Sequence, residues 1–90
     1  MNKTDLIDKI ADHTGLSKID SKRAAEAFIA IVMDSLAEGE DVVLVGFGTF
    51  TVAKRGARKG RNPQNGEEIN IPARKIPKFK AGKAFKEVIR

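Results

Sequence analysis

The chain has no cysteine, no tryptophan and no tyrosine, and only one histidine. Without cysteine it can form neither disulfides nor thiolate metal sites, which fits a reducing compartment. With so few nucleophiles and acid–base groups an enzyme is not expected. His13 reads as a surface residue near a helix end rather than a catalyst. Asp5, Asp8 and Asp12 share a helix face, but a solvated acidic face explains them better than a metal. The expectation is therefore no catalytic residue, no metal and no cofactor. No apolar run approaches the ~20 residues of a membrane span. No apolar signal core follows Met1-Asn2-Lys3-Thr4-Asp5. These absences point to a soluble protein of the cytoplasm. Gly46-Phe47-Gly48 lacks the Gly-Lys-Ser/Thr and following helix of a phosphate-binding loop.

Charge is plentiful and unevenly placed. Residues 1–45 hold five Lys/Arg and nine Asp/Glu, a net of −4, while residues 46–90 hold twelve and three, a net of +9, together the formal +5. One strongly basic half attracts a polyanion. Nucleic acid is the first partner this suggests and an anionic membrane the second. The final helix, with Ala84, Phe85, Val88 and Ile89 beside Lys83, Lys86 and Arg90, is short for a membrane-surface helix and reads as core packing, so no membrane partner is expected.

The hydrophobic period divides the chain. Leu6, Ile7, Ile10 and Ala11 predict a helix over residues 3–14, with Asn2 as N-cap, Asp5 in the first turn and Gly15 as the stop. Ala24, Ala25, Phe28, Ile29, Val32, Met33 and Leu36 predict a second helix over residues 18–38, opened by Ser17 and Asp20 and ended by Gly39. The period then drops to two. Asp41–Val45 reads as a strand whose run Val42–Val45 looks buried on both faces. Gly46-Phe47-Gly48 reads as a turn that sends the Phe47 ring inward. Thr49–Lys54 reads as a second strand with Phe50 and Val52 on one face. Phe28, Phe47, Phe50, Phe79 and Phe85 all fall on apolar faces and are expected inside. That argues against an RNA-binding sheet, which offers exposed aromatics for stacking; secondary RNA binding stays open, because phosphate contacts read the sugar weakly.

Residues 55–74 form an arm of different composition. Arg55-Gly56-Ala57-Arg58-Lys59-Gly60-Arg61 is almost free of apolar side chains, and Asn62-Pro63-Gln64-Asn65-Gly66 is turn chemistry. Ile69, Ile71 and Ala73 alternate on the returning strand. Pro72 and Pro77 cannot donate to a ladder, so that strand belongs at an edge. A guanidinium is planar, weakly hydrated and permanently charged, and can donate to the acceptors of a narrow minor groove. Gly56 and Gly60 would let the backbone approach closely. Pro63, rigid and apolar at the tip, could wedge between base pairs or simply shape the turn. Lys3, Lys54, Lys59, Arg74, Lys75, Lys80, Lys83 and Lys86 suit phosphate contacts, with Lys78 and Arg90 in the same C-terminal cluster.

The fold these elements make is α+β. A helical hairpin joins a three-stranded antiparallel sheet, from which the β-ribbon arm protrudes, and a short C-terminal helix follows. Residues 1–90 make one domain, with 1–54 and 75–90 as the body. The ~70 residues outside the arm cannot cover their own apolar surface, since small domains bury a low fraction of it. A second copy would cover it, through a core and interface built on Phe28, Val32, Leu44, Phe47, Phe50 and Phe79.

Gly46-Phe47-Gly48-Thr49-Phe50, Arg55, Arg58, Gly60-Arg61-Asn62-Pro63, Gly66-Glu67-Glu68, Ile71-Pro72-Ala73 and Phe79-Lys80 together resemble the bacterial histone-like HU proteins and the related integration host factor. The likeness runs back to Met1-Asn2-Lys3-Thr4 and covers the whole chain. It implies an intertwined homodimer whose two arms wrap double-stranded DNA. It implies too that Arg55, Arg58, Arg61, Asn62 and Asn65 lie along the minor groove and that Pro63 intercalates. The role that goes with it is low-specificity bending and wrapping that compacts the bacterial nucleoid, with a preference for bent, nicked or flexible DNA. The alternative is site-specific bending of the integration-host-factor kind. Two residues depart from the usual pattern. Asn65 stands where the family usually has Thr, and Asn-Gly tolerates the positive φ of a turn. Ala81 stands where many members have Pro, which is expected to loosen the start of the last helix.

Overall fold

A computed structural model of the chain describes residues 1–89. Arg90, grouped by sequence with the C-terminal lysines, lies outside the described residues. The chain divides into two compact units, Met1–Ser35 and Leu36–Arg90.

The first unit is helical. Helix α1 spans Lys3–Thr14, and α2 spans Lys18–Ala37 and carries on into the second unit. Asn2 does more than accept one bond. Its Oδ1 takes the Asp5 N–H at 2.9 Å while the Asp5 carboxylate takes the Asn2 N–H at 3.3 Å, a reciprocal capping box. Gly15, at φ 75°, turns left-handed and donates to the Ala11 carbonyl at 2.9 Å. The Ser17 hydroxyl accepts from the Asp20 N–H at 3.1 Å at the start of α2. Two ion pairs join the helices, Lys3 to Glu26 at 3.1 Å and Lys18 to Asp8 at 3.7 Å. Asp5 and Asp8 are thus engaged in a cap and an ion pair. Ser21, Ala25 and Val32 make the buried stripe of α2.

The second unit holds five strands and a helix: β1 Val42–Leu44, β2 Gly48–Arg55, β3 Arg58–Arg61, β4 Glu68–Ile71, β5 Arg74–Ala81 and α3 Lys83–Val88. Strands β1, β2 and β5 form one antiparallel sheet in that order. Strand β5 is an edge, and Pro77 sits there opposite Val52, as its missing donor requires. Phe47, Phe50, Phe79 and Phe85 form a cluster. The Phe50 and Phe79 rings lie 4.9 Å apart across the ladder, Phe47 is 5.1 Å from Phe79, and Phe47 stacks on Phe85 at 5.3 Å. Space for it comes from Gly48, where a Cβ would meet the Phe79 ring and the Lys80 carbonyl oxygen at 2.5 Å. The start of α3 is pinned rather than loose. Gly82 N–H donates to the Phe47 carbonyl at 2.8 Å and Phe85 N–H to the Gly46 carbonyl at 3.1 Å, so Ala81 does not free it.

Two burial expectations need correcting for the single chain. Val43 is 62% and Val45 98% exposed, so one chain alone does not bury Val42–Val45 on both faces. Strand β1 is a three-residue edge of the sheet, and Val45 falls in the following turn. Phe28, Phe47 and Phe79 are likewise exposed, although Phe47 does turn toward the aromatic cluster. The physical reason is a shortage of covering surface. Among the described residues only Ala25 and Val32 are buried hydrophobic side chains, while Ile19, Ile29, Ile31 and Met33 on α2 are exposed. Apolar surface on this scale leaves one chain without a finished core.

Candidate nucleic-acid interface

The arm is a two-part ribbon. The β2–β5 ladder runs as far as Arg55 opposite Arg74. Pairing lapses at Gly56-Ala57 and Pro72-Ala73, where Pro72 has no N–H to give. It resumes as β3–β4, with Arg58 opposite Ile71, Lys59 opposite Asn70, Gly60 opposite Ile69 and Arg61 opposite Glu68. Cross-strand partners share a face. Arg58 therefore lies with Gly60, Ile69 and Ile71, and Arg61 lies with Lys59 on the other face. The register does not bring Arg58 and Arg61 together.

The lapse does bring other cations together. Arg55, Arg58 and Arg74 line one open hollow with Gly56, Ile71 and Pro72. Arg74, read from sequence as a phosphate contact only, shares this hollow with Arg55 and Arg58. Lys54 faces Lys75 and Arg55 faces Arg74 directly across the ladder. Like charges so placed repel and destabilise an unoccupied ribbon. All four are exposed, and among the described residues no ion pair joins an arm cation to an acidic side chain. The hollow is thus a concentration of positive charge with no internal counterion.

The two glycines of the first arm strand differ. A Cβ at Gly60 would meet Ile71 Cδ1 at 2.9 Å, so this glycine makes room for the isoleucines of the returning strand. At Gly56 a Cβ would meet nothing within 4 Å, which leaves the backbone open to a close neighbour.

The tip is closed by its own backbone. Asn62 N–H donates to the Glu67 carbonyl and Gly66 N–H to the Asn62 carbonyl, both at 2.8 Å. Asn62 Oδ1 accepts from Gln64 N–H and Asn65 Oδ1 from Glu67 N–H, each at 2.9 Å. The positive φ expected for the Asn-Gly pair falls on Gly66 alone, at 73°. Because both side-chain oxygens are taken, the amide N–H groups are the donors these side chains have left. Minor-groove base edges present acceptors at A·T pairs, the chemistry those donors match. Pro63 is exposed in the turn of residues 63–65.

On the body, Lys80 and Lys78 lie on β5, and Lys83 and Lys86 on α3, all exposed. Of the lysines suited by sequence to phosphate contacts, Lys3 alone is in an ion pair among the described residues, with Glu26. Residues 3 and 26 are too far apart in sequence for local spacing to reveal that pair.

The sequence model of the family described as bacterial DNA-binding protein matches residues 1–90. The chain belongs to the HU family of bacterial DNA-binding proteins. The HU-beta protein of Serratia marcescens is 60% identical over 89 residues, covering 99% of each chain. The HU protein of Staphylococcus aureus is 53% identical over 90 residues, covering all of both. Among solved structures, an Anabaena HU–DNA cocrystal structure superposes with a TM-score of 0.91 at 38% identity, over 99% of this chain and 97% of that one. HU membership is favoured over the integration-host-factor alternative.

Proposed function

We propose that this histone-like, architectural DNA-binding protein works as a pair of identical chains whose arms lie in the minor groove and hold the duplex bent. The observation that carries the reading is the arm itself: a two-stranded extension with Arg55, Arg58 and Arg74 around one hollow, no internal counterion, and Pro63 exposed at its tip. The exposed apolar residues of α2, and separately Val43 on β1, support pairing, because a second copy would bury what one chain leaves in water. Affinity then comes mainly from phosphate neutralisation by the arm and body cations. Arg55, Arg58, Arg61, Asn62 and Asn65 supply groove contacts, and Pro63 supplies the wedge. Bending a site costs on the order of 1–6 kcal/mol, offset by the wrapping contacts it allows. Nicked, kinked or flexible DNA lowers that cost and binds more tightly. Base preference is slight, since the minor groove separates mainly A·T from G·C. On this reading the protein works on the bacterial chromosome, in the cytoplasm.

Gel shifts on intact, nicked, A·T-rich and four-way-junction DNA, at two salt concentrations, test the reading. Tighter binding to nicked and branched DNA, with affinity falling steeply as salt rises, is expected. Equal affinity for nicked and intact duplexes would contradict it. A double-stranded RNA lane measures secondary RNA binding.

A further inference from the structure

Asparagine turns to aspartate when the backbone nitrogen of the next residue attacks its side-chain carbon, and the next residue governs how readily. The chain holds four cases: Asn2-Lys3, Asn62-Pro63, Asn65-Gly66 and Asn70-Ile71. Pro63 has no N–H to give up. Ile71 is β-branched and fixed in the β3–β4 ladder. Asn2 is locked in the capping box of α1. Asn65 alone precedes a residue without a side chain. It is exposed at the arm tip, and nothing lies within 4 Å of where a Cβ on Gly66 would be.

We propose that Asn65 is a deamidation site whose conversion weakens the arm's hold on DNA, the second part resting on the arm's DNA-binding role. Two hydrogen bonds act on the reaction in opposite senses. Glu67 N–H donates to Asn65 Oδ1 at 2.9 Å, drawing electrons from Cγ and stabilising the oxyanion that forms on attack. Gly66 N–H donates to the Asn62 carbonyl at 2.8 Å, which holds the nucleophile's proton until the tip opens. The closed tip is therefore a brake, and its local opening sets the rate. The Gly66 nitrogen then bonds to Cγ, its proton is passed through water, and the amide nitrogen leaves as ammonia. The resulting five-membered imide is opened by one water at either carbonyl, giving aspartate or isoaspartate. No oxidant or reductant takes part.

The product alters the tip in three ways. A carboxylate joins Glu67 and Glu68, lowering the formal charge of +5 by one per chain. The amide donors of Asn65 are lost. Isoaspartate also adds a backbone methylene inside the loop that the Asn62–Glu67 hydrogen bond closes.

The full chain is aged at neutral pH and body temperature, free and bound to a duplex, beside a peptide of residues 60–70 and the variants Asn65→Thr and Asn65→Asp. Intact mass and peptide mapping should place the amide-to-acid mass gain at residue 65 and not at 2, 62 or 70. The gain should be fastest in the peptide, slower in the folded chain and slowest on DNA. In gel shifts, Asn65→Asp and the aged parent should bind roughly threefold to tenfold more weakly, because the added carboxylate offsets one cation of the arm. Aged Asn65→Thr should bind as it did when fresh. A folded chain in which Asn65 converts no faster than Asn2, Asn62 or Asn70 over the whole ageing period overturns the site. An Asn65→Asp chain that binds like the parent overturns the consequence. A fresh parent that fails to bind DNA would instead overturn the binding role, which the mass measurement does not depend on.

Discussion

Adding one methyl group at residue 48 and one at residue 56 should separate the protein's packing from its DNA contact. In Gly48→Ala the new Cβ would lie 2.5 Å from the Lys80 carbonyl oxygen and 2.5 and 2.7 Å from the Phe79 ring. The carbonyl belongs to β5, paired along its length with β2, and the ring is packed on Phe47, Phe50 and Phe85. Neither can yield without disturbing the register or the aromatic cluster. Overpacking of this kind costs about 1–3 kcal/mol. At about 4–8 °C per kcal/mol for a domain of this size, Tm should fall by roughly 10 °C. In Gly56→Ala the methyl meets nothing, so Tm should hold, or rise slightly because the unfolded chain loses freedom worth about 0.4–1 kcal/mol. Its DNA affinity should nonetheless drop, because the backbone can no longer approach the groove closely. Circular dichroism melts at one fixed chain concentration read the first effect, since the proposed pairing would make Tm depend on concentration. Gel shifts on the folded Gly56→Ala chain read the second. A Gly48→Ala chain melting within about 2 °C of the parent would refute the packing account. A Gly56→Ala chain binding like the parent would refute the close approach.

Arg58→Ala and Arg61→Ala should each weaken binding across many sequences and reduce the slope of log affinity against log salt by about one; an unchanged slope would mean the side chain meets no phosphate. Pro63→Ala should reduce the bend more than the affinity, read as the FRET distance between duplex ends, and a bend equal to the parent's would remove the wedge. Phe47→Ala removes a ring that touches three others yet stays 44% exposed in one chain. Its cost should lie near ~3 kcal/mol if no second chain covers it and nearer ~5 kcal/mol if one does, checked by chemical denaturation at several concentrations.

Local signals in the sequence read the framework well. Asn2, Asp5 and Gly15 bounded the first helix, Gly39 ended the second, and Pro77 marked an edge strand, because each acts through its own backbone or the next turn. What depends on distant or absent partners was harder to read. The β-branched run Val42–Val45 has the composition of a buried strand, yet no part of one chain covers Val43 or Val45. Lys3 looked free because Glu26 is remote in sequence. In the arm, residue types pointed to groove chemistry, but the faces depend on where pairing lapses and resumes. That register parts Arg58 from Arg61, while the lapse gathers Arg55, Arg58 and Arg74 around one hollow. Gly60 shows the same limit: freedom for the backbone was legible, and room for Ile71 was not.

The most direct test of a groove-gripping arm compares the intact chain with one in which a tight turn replaces residues 55–74. Each is bound to a duplex labelled at both ends, and the end-to-end distance is measured by FRET. The intact chain should draw the ends together and the armless chain should leave them at the distance of free DNA. Equal shortening by both would contradict the account.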